Sequence, residues 1–249
     1  MSSGIIQLTL LALGMALGLL PFFQFFRGTP HQLAAIKQLE ESMPSELLEE
    51  DEADWFQAWK ESGYDQQIYM PYFKQLDNKT GTGYRECFSS AAAMVAAYYK
   101  KVRTDDEYNE IRAKFGDTAS VEAQLAALRS LGLQAEFRED GNADMVEFEV
   151  EAGRPVLVGW LHRGNMLSGE SPMCNGFGCG HWSVISGYAG KNSNDPEWIM
   201  QDPRGYPEME KGGHSNPHLG RNVRVRQAAF HQRWQTNGPR TGWVILVNE

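Results

Sequence analysis

Apolar positions follow a helical period through the middle of the chain and a strand pattern toward its end. In "CFSSAAAMVAAYY" Cys87, Ala91, Met94, Val95 and Tyr98 share one face, which predicts a helix packed against a core. "TDDEYNEIRAKFG" opens with a capping box, Thr104 with Glu107, and closes on Gly116. "SVEAQLAALRSLG" predicts a third helix between Ser120 as cap and Gly132 as stop. "LQAEFRE" reads as a strand, and a short helix then ends at Gly153. From there "RPVLVGWL" (154–161), "HWSVISGYA" (181–189), "EWIMQD" (197–202), "NVRVRQ" and "GWVILV" are rich in Val, Ile and Trp and separated by Gly, Asn and Pro. They read as strands. Ahead of the Cys87 helix, "IYMPYF" predicts a short strand and "KQLDNKTGTGYRE" a glycine-containing loop. Helices first and a mainly antiparallel sheet afterwards define an α+β fold.

The beginning of the chain follows neither pattern. "GIIQLTLLALGMALGLLPFFQFF", Gly4 to Phe26, carries no formal charge. As a helix it is long enough to cross a hydrocarbon core roughly 30 Å thick. Three readings stand: a permanent single-pass membrane anchor, a cleaved signal peptide, or a hydrophobic segment buried in an assembly. The anchor is favoured, because no Lys or Arg precedes the stretch and no convincing cleavage site follows it. Arg27 and Lys37 taken alone favour a cytoplasmic C-terminal part, on weak grounds. Residues 27–65 read as a helical connector, interrupted by Pro44 and ending in the acidic run "SELLEEDEAD" (45–54). The organisation expected is therefore a hydrophobic helix over 1–26, an acidic connector over 27–65 and a folded domain over 66–249.

Composition adds two exclusions. With 42% apolar residues in 249, the chain has enough core to fold without metals or disulfides. A net charge of −9 and the lack of a basic face argue against nucleic acid as a partner.

Chemistry concentrates on one cysteine. The chain has three, and Cys87 opens the alanine-rich helix, where unpaired N–H groups and the helix dipole favour a thiolate. Position alone does not separate a nucleophile from a small buried hydrophobe. Other features of the chain sharpen the reading. Gln75, in "YFKQLDN", can donate to an oxyanion from the entry loop. His181 begins the strand "HWSVISGY" and Asp202 ends the next one. If those strands are antiparallel neighbours, the carboxylate lies beside the imidazole and fixes its tautomer, as the third member of a nucleophile–base–acid set does.

The motifs "MPYFKQLDN…ECFSSAAAMVAAYY", "GRPVLVGW", "GHWSVISGY", "MQDPRGYP" and "FHQRWQTNGPRTGWVILV" resemble, in order, those of the papain-like cysteine peptidases of the bacteriocin-leader-processing (double-glycine) type. The resemblance spans roughly residues 68 to 247. It implies a papain-like fold, with Cys87 as nucleophile, His181 as general base and acid, Asp202 as orienter and Gln75 in the oxyanion hole. It also implies thiol-dependent hydrolysis of peptide or amide bonds with no cofactor or metal. Two departures stand out: Phe88 and Ser89 follow the cysteine where a Gly-Pro pair is common, and "HRGNMLSGESPMCNGFGC" is insertion-like.

The remaining candidates have plainer readings. His162 borders the predicted cleft at a strand end. His214 and His218, four apart in "GGHSNPHLG", give a weak zinc signal and read as surface loop. His31 and His231 read as solvent-facing or packing residues, and Asp77 and Asp195 as turn formers. Cys174 and Cys179 enclose four residues, so a disulfide and two reduced thiols are both open. Peptides, proteins and cell-wall peptides are the candidate substrates, with the membrane as partner of the N-terminal helix. Two rivals share the fold: an acyltransferase with the same triad, and an inactive structural or binding module of a membrane or virion assembly. Secretion or virion association is the alternative to a membrane tether.

Overall fold

The computed structural model describes residues 66–172 and 179–249, all within one compact unit, Gly63–Glu249. The hydrophobic stretch 4–26, the connector, His31 and Cys174 lie outside the described residues. Among the described residues no helix is long and apolar enough to cross a membrane.

The helices are α1 (Cys87–Tyr98), α2 (Asp105–Arg112), α3 (Val121–Ser130), α4 (Ala143–Glu151) and α5 (Gln227–Trp234). The strands are β1 (Gln66–Gln67), β2 (Gln134–Gly141), β3 (Val156–Leu161), β4 (Gly180–Ala189), β5 (Glu197–Gln201), β6 (Val223–Arg226) and β7 (Gly242–Asn248). They form one antiparallel sheet in the order β2-β7-β3-β4-β5-β6, with β1 pairing the far end of β4. This is an α+β fold in which helices from the N-terminal half cover an antiparallel sheet. Thr104 and Ser120 cap α2 and α3 by accepting from Glu107 N and Ala123 N, both at 3.1 Å.

Alternation along the strands fills both faces of the sheet. Leu157, Val184, Ile245 and Val247 meet α1–α3 on one side. Val156, Val158, Ile185 and Val244 meet Val146 and Val150 of α4 and Ala229, Phe230 and Trp234 of α5 on the other. Two features depart from the sequence reading. Helix α5 arises within "QAAFHQRW", where no helix is expected. Residues 68–73 form no strand: Ile68 N–H donates to Ser186 O and the ladder stops there.

Helix α1 is fixed at the end that matters. Phe88, fully buried, stacks on Trp182 of β4 with centroids 3.9 Å apart and planes 4° apart. Burying such a ring is worth roughly 1.5–3 kcal/mol. Trp182 in turn lies flat on β3, because Gly159 opposite it has no side chain; a Cβ there would sit 2.9 Å from the indole. Ser89 Oγ meets Thr118 Oγ1 at 2.8 Å and accepts from Arg112 Nε (3.1 Å) and Gln124 Nε2 (3.0 Å). Phe88 and Ser89 thus anchor the first turn of α1 to β4, α2 and α3.

Candidate active site

Cys87 is half-buried at the first position of α1. The preceding Glu86 is buried and accepts from Asn78 Nδ2, Thr80 Oγ1 and Thr82 Oγ1, each at 2.7 Å, which closes the entry loop onto the helix start. The sulfur lies against the backbone N–H groups of Trp182 and Phe88. Burial pushes its thiol up to about 11; those N–H groups oppose the shift and the Asp202 charge adds to it. At neutral pH the resting group is a thiol.

His181 and Asp202 are brought together as the strand order requires. With β4 and β5 antiparallel, the start of one and the residue after the other share an edge. His181 Nε2 is 3.0 Å from each Asp202 carboxylate oxygen, and both side chains are almost wholly buried. Asp202 Oδ2 also accepts from Ser183 Oγ (2.9 Å), which itself accepts from Trp160 Nε1 (3.0 Å), while Oδ1 accepts from Arg204 N–H (2.9 Å). Burial pushes the carboxyl up, but His181 and His214 outweigh it and hold Asp202 far below the usual carboxylate range. Burial dominates at His181 and pulls its imidazole below the ordinary value, against the opposing pull of Asp202.

The backbone around Asp202 is clamped from two sides. Its N–H donates to Gly220 O at 2.7 Å and its carbonyl accepts from Tyr72 OH at 3.0 Å. Gly220 must be glycine, since a Cβ would lie 2.0 Å from the Asp202 carbonyl oxygen. Gln75 joins the same rim: its N–H donates to Pro203 O at 2.9 Å, and Nε2 donates to Gly83 O at 2.7 Å. One amide hydrogen of Nε2 remains beyond that bond.

Among the described residues no hydrogen bond joins Cys87 to the His181 ring. Consecutive residues on a strand face opposite ways. Trp182 points to the α1 side, while His181 lies edge-on to Trp160, with ring centroids 5.3 Å apart. Cys87 therefore lies on the Trp182 side of β4 and the His181–Asp202 pair on the Trp160 side.

His214 corrects the surface-loop reading. Its side chain is 3% exposed, and Nε2 lies 3.2 Å from Asp202 Oδ2. Its ring is 4.4 Å from that of His181, and its Nδ1 is buried without a hydrogen bond. His162 is buried too, with its ring 5.6 Å from His181 and 5.5 Å from His214. His218 is on the exposed side of the same loop, 3.4 Å from Lys74 Nζ. His231 packs on Trp198 and Trp234. Asp77 and Asp195 are exposed next to turns. Ser183 was legible from period two after His181; nothing periodic marks His214, which long-range loop contacts carry inward.

Acid weakens this site. His181 is depressed in the fold, so unfolding takes up a proton once pH falls below the free-imidazole value of about 6.5. The stability it contributes is complete above that pH and declines below it, by about 1 kcal/mol per pH unit. Asp105, raised to about 6 by burial, works in the opposite sense. The expected result is a difference: from pH 7.5 to 5.5 the urea midpoint falls further in the wild type than in His181→Gln. Equal falls refute it.

The domain is thus an α+β fold with a cysteine at a helix start and a buried imidazole–carboxylate pair at the ends of two neighbouring strands. Residues 67–240 match the Peptidase_C39 like family, and the chain belongs to that family of peptidases. No curated protein matches the sequence. Similar solved structures include a double glycine motif protease from an AMS/PCAT transporter in complex with its leader peptide (18% identity, 73% of this chain and 93% of that one, TM-score 0.40). Another is a C39-like peptidase from Bacillus anthracis (15% identity, 75% and 98%, TM-score 0.49). A third is the peptidase domain of Streptococcus ComA, a bi-functional ABC transporter (17% identity, 66% and 90%, TM-score 0.39).

Proposed function

We propose that the protein is a cysteine peptidase in which Cys87 attacks a peptide carbonyl, His181 moves the proton and Asp202 orients and stabilises the imidazole. The observation that carries this is the buried His181–Asp202 pair, whose strand also lays the Trp182 N–H against the Cys87 sulfur. Engagement of Nε2 by the carboxylate leaves Nδ1 to take the thiol proton. The resting state is thiol and neutral imidazole, so proton transfer accompanies attack rather than preceding it. Sulfur and Nδ1 must close to hydrogen-bond distance as substrate binds, a tightening common to catalytic groups seen without substrate. The Cys87 N–H and the second amide hydrogen of Gln75 face the developing oxyanion. His181 then protonates the leaving amine and water releases the acyl group. Capture of the acyl group by an amine is the transferase variant, read out by adding a free amine to the assay.

Membership of a peptidase family and the leader peptide bound to a similar protease support a peptide as substrate. The test is mass-spectrometric mapping of a peptide library incubated with the full chain. Cleavage absent from well-folded protein sinks the proposal. The inactive module is the second reading, favoured by the missing Cys87–His181 hydrogen bond and the raised thiol. It predicts that iodoacetamide labels Cys87 at pH 7 equally fast in wild type and His181→Ala, whereas the peptidase loses labelling rate in the variant.

Unequal losses are expected within the set. His181→Ala lowers kcat/KM on the order of 10³–10⁵-fold, and Asp202→Asn costs less, roughly 10²–10⁴-fold. Equal activity in the His181 variant excludes its role as base. The Cys174–Cys179 disulfide belongs to the same proposal, as a brace before β4. Peptide mapping without reductant is expected to recover the two cysteines linked and Cys87 free; a labelled thiol at 179 contradicts it.

A further inference from the structure

The loop that carries His214 inward adds a donor with no part in the scheme above to the His181–Asp202 pair. His181 Nε2, an Asp202 carboxylate oxygen and His214 Nε2 lie within 4.8 Å of one another, on side chains 2%, 0% and 3% exposed. Two of the separations are 3.0 and 3.2 Å. Nitrogen and oxygen ligands about 2.0–2.1 Å from a tetrahedral zinc ion stand roughly 3.3 Å apart. The two separations that involve the carboxylate already have nearly that spacing.

Their supports match what a metal centre needs. Ser183 Oγ and the Arg204 N–H hold the carboxylate, as outer groups hold metal-bound carboxylates. His214 is set by pairing of its backbone with Pro207 and by the Gly213 N–H on His162 O. Trp160 covers His181 and His214 at ring distances of 5.3 and 5.9 Å, which keeps the cluster dry. His162 lies about equally far from both rings, at centroid distances of 5.6 and 5.5 Å.

We infer that His181, Asp202 and His214 form a binding site for a divalent transition ion of the zinc type. Two imidazoles and one carboxylate select such ions over magnesium or calcium, which take oxygen ligands. On binding, each imidazole gives its Nε2 lone pair to the ion and carries its proton on Nδ1. No proton is released. Resting on the proposed function, one consequence follows: with Nδ1 of His181 protonated, Cys87 has no base, so the ion-loaded protein is inactive and chelation restores it. The cluster then acts as a reversible off switch.

The binding test needs no catalysis. Metal-free full-length Cys87→Ala, which lacks the sulfur as a competing ligand, is titrated with Co²⁺ followed by absorption and with Zn²⁺ by calorimetry. One equivalent is expected to bind with visible Co²⁺ bands and no thiolate charge-transfer band. His214→Ala in the same background is expected to weaken binding 100-fold or more. His214→Gln, which keeps the volume, does the same if the alanine variant fails by circular dichroism. The inference is overturned by absence of stoichiometric binding, by unchanged affinity in the folded His214 variant, or by binding that vanishes with Cys87. A wild type that binds Zn²⁺ in this way yet cleaves no peptide even when metal-free keeps the site and refutes only the peptidase.

Discussion

Replacing Cys87 by alanine takes peptide hydrolysis down on the order of 10⁴-fold or more, to the background of the assay, while the domain keeps its melting temperature within a few degrees. The loss is large because no other described side chain at this rim offers a nucleophile where the N–H groups of Trp182 and Phe88 converge. The fold survives because α1 is held by Phe88 on Trp182 and by Ser89 on Thr118, Arg112 and Gln124, none of which involves the sulfur. Single-turnover product analysis by mass spectrometry, alongside thermal melts of both proteins, reads the two halves separately. Residual cleavage above background places the nucleophile elsewhere, and a collapsed melt makes Cys87 a packing residue.

Arg233→Met removes about 3–5 kcal/mol of stability, a far larger effect than a surface arginine has. Arg233 is fully buried in α5 and donates only to backbone carbonyls: Met209, Leu161 at 3.2 Å, Arg163 at 2.9 Å, Gly164 at 2.8 Å and Glu210 at 3.4 Å. Methionine fills the space but donates to none of those carbonyls, of which Glu210 O keeps the Met166 N–H. The guanidinium ties the end of β3, which His162 follows, to the loop that runs on to His214. Activity is therefore expected to fall along with stability, even at temperatures where the variant remains folded. Urea unfolding with an unchanged slope checks the energy. A loss below 1 kcal/mol means that water replaces the guanidinium.

Local rules made much of this legible. Thr104 and Ser120 announce their helices by side-chain caps, and the structure forms both bonds. His181 and Asp202 are paired by strand order alone, which the alternation and turn residues disclose. Helix α5 lacks such a signal: Arg226 precedes it without a side-chain cap, and its buried members include an arginine and a glutamine. At residues 68–73 the alternation is real, with Ile68 and Met70 buried and Tyr69 84% exposed, but no neighbouring strand is there to pair. The inward course of the 205–220 loop depends on bonds such as Tyr206 N–H to Asn216 O and Asp202 N–H to Gly220 O. Contacts of that kind leave no period in the sequence.

The place of β7 in the sheet bears on when a newly made chain becomes dangerous to its surroundings. Cys87 leaves the ribosome early, in a helix that forms from nearby residues. Yet β7, synthesised after every other described strand, is the one that lies between β2 and β3. Until it inserts, β3 has an open edge and β2 has no partner in the sheet that carries His181. A nascent thiol thus waits, unassisted, until translation has passed β7.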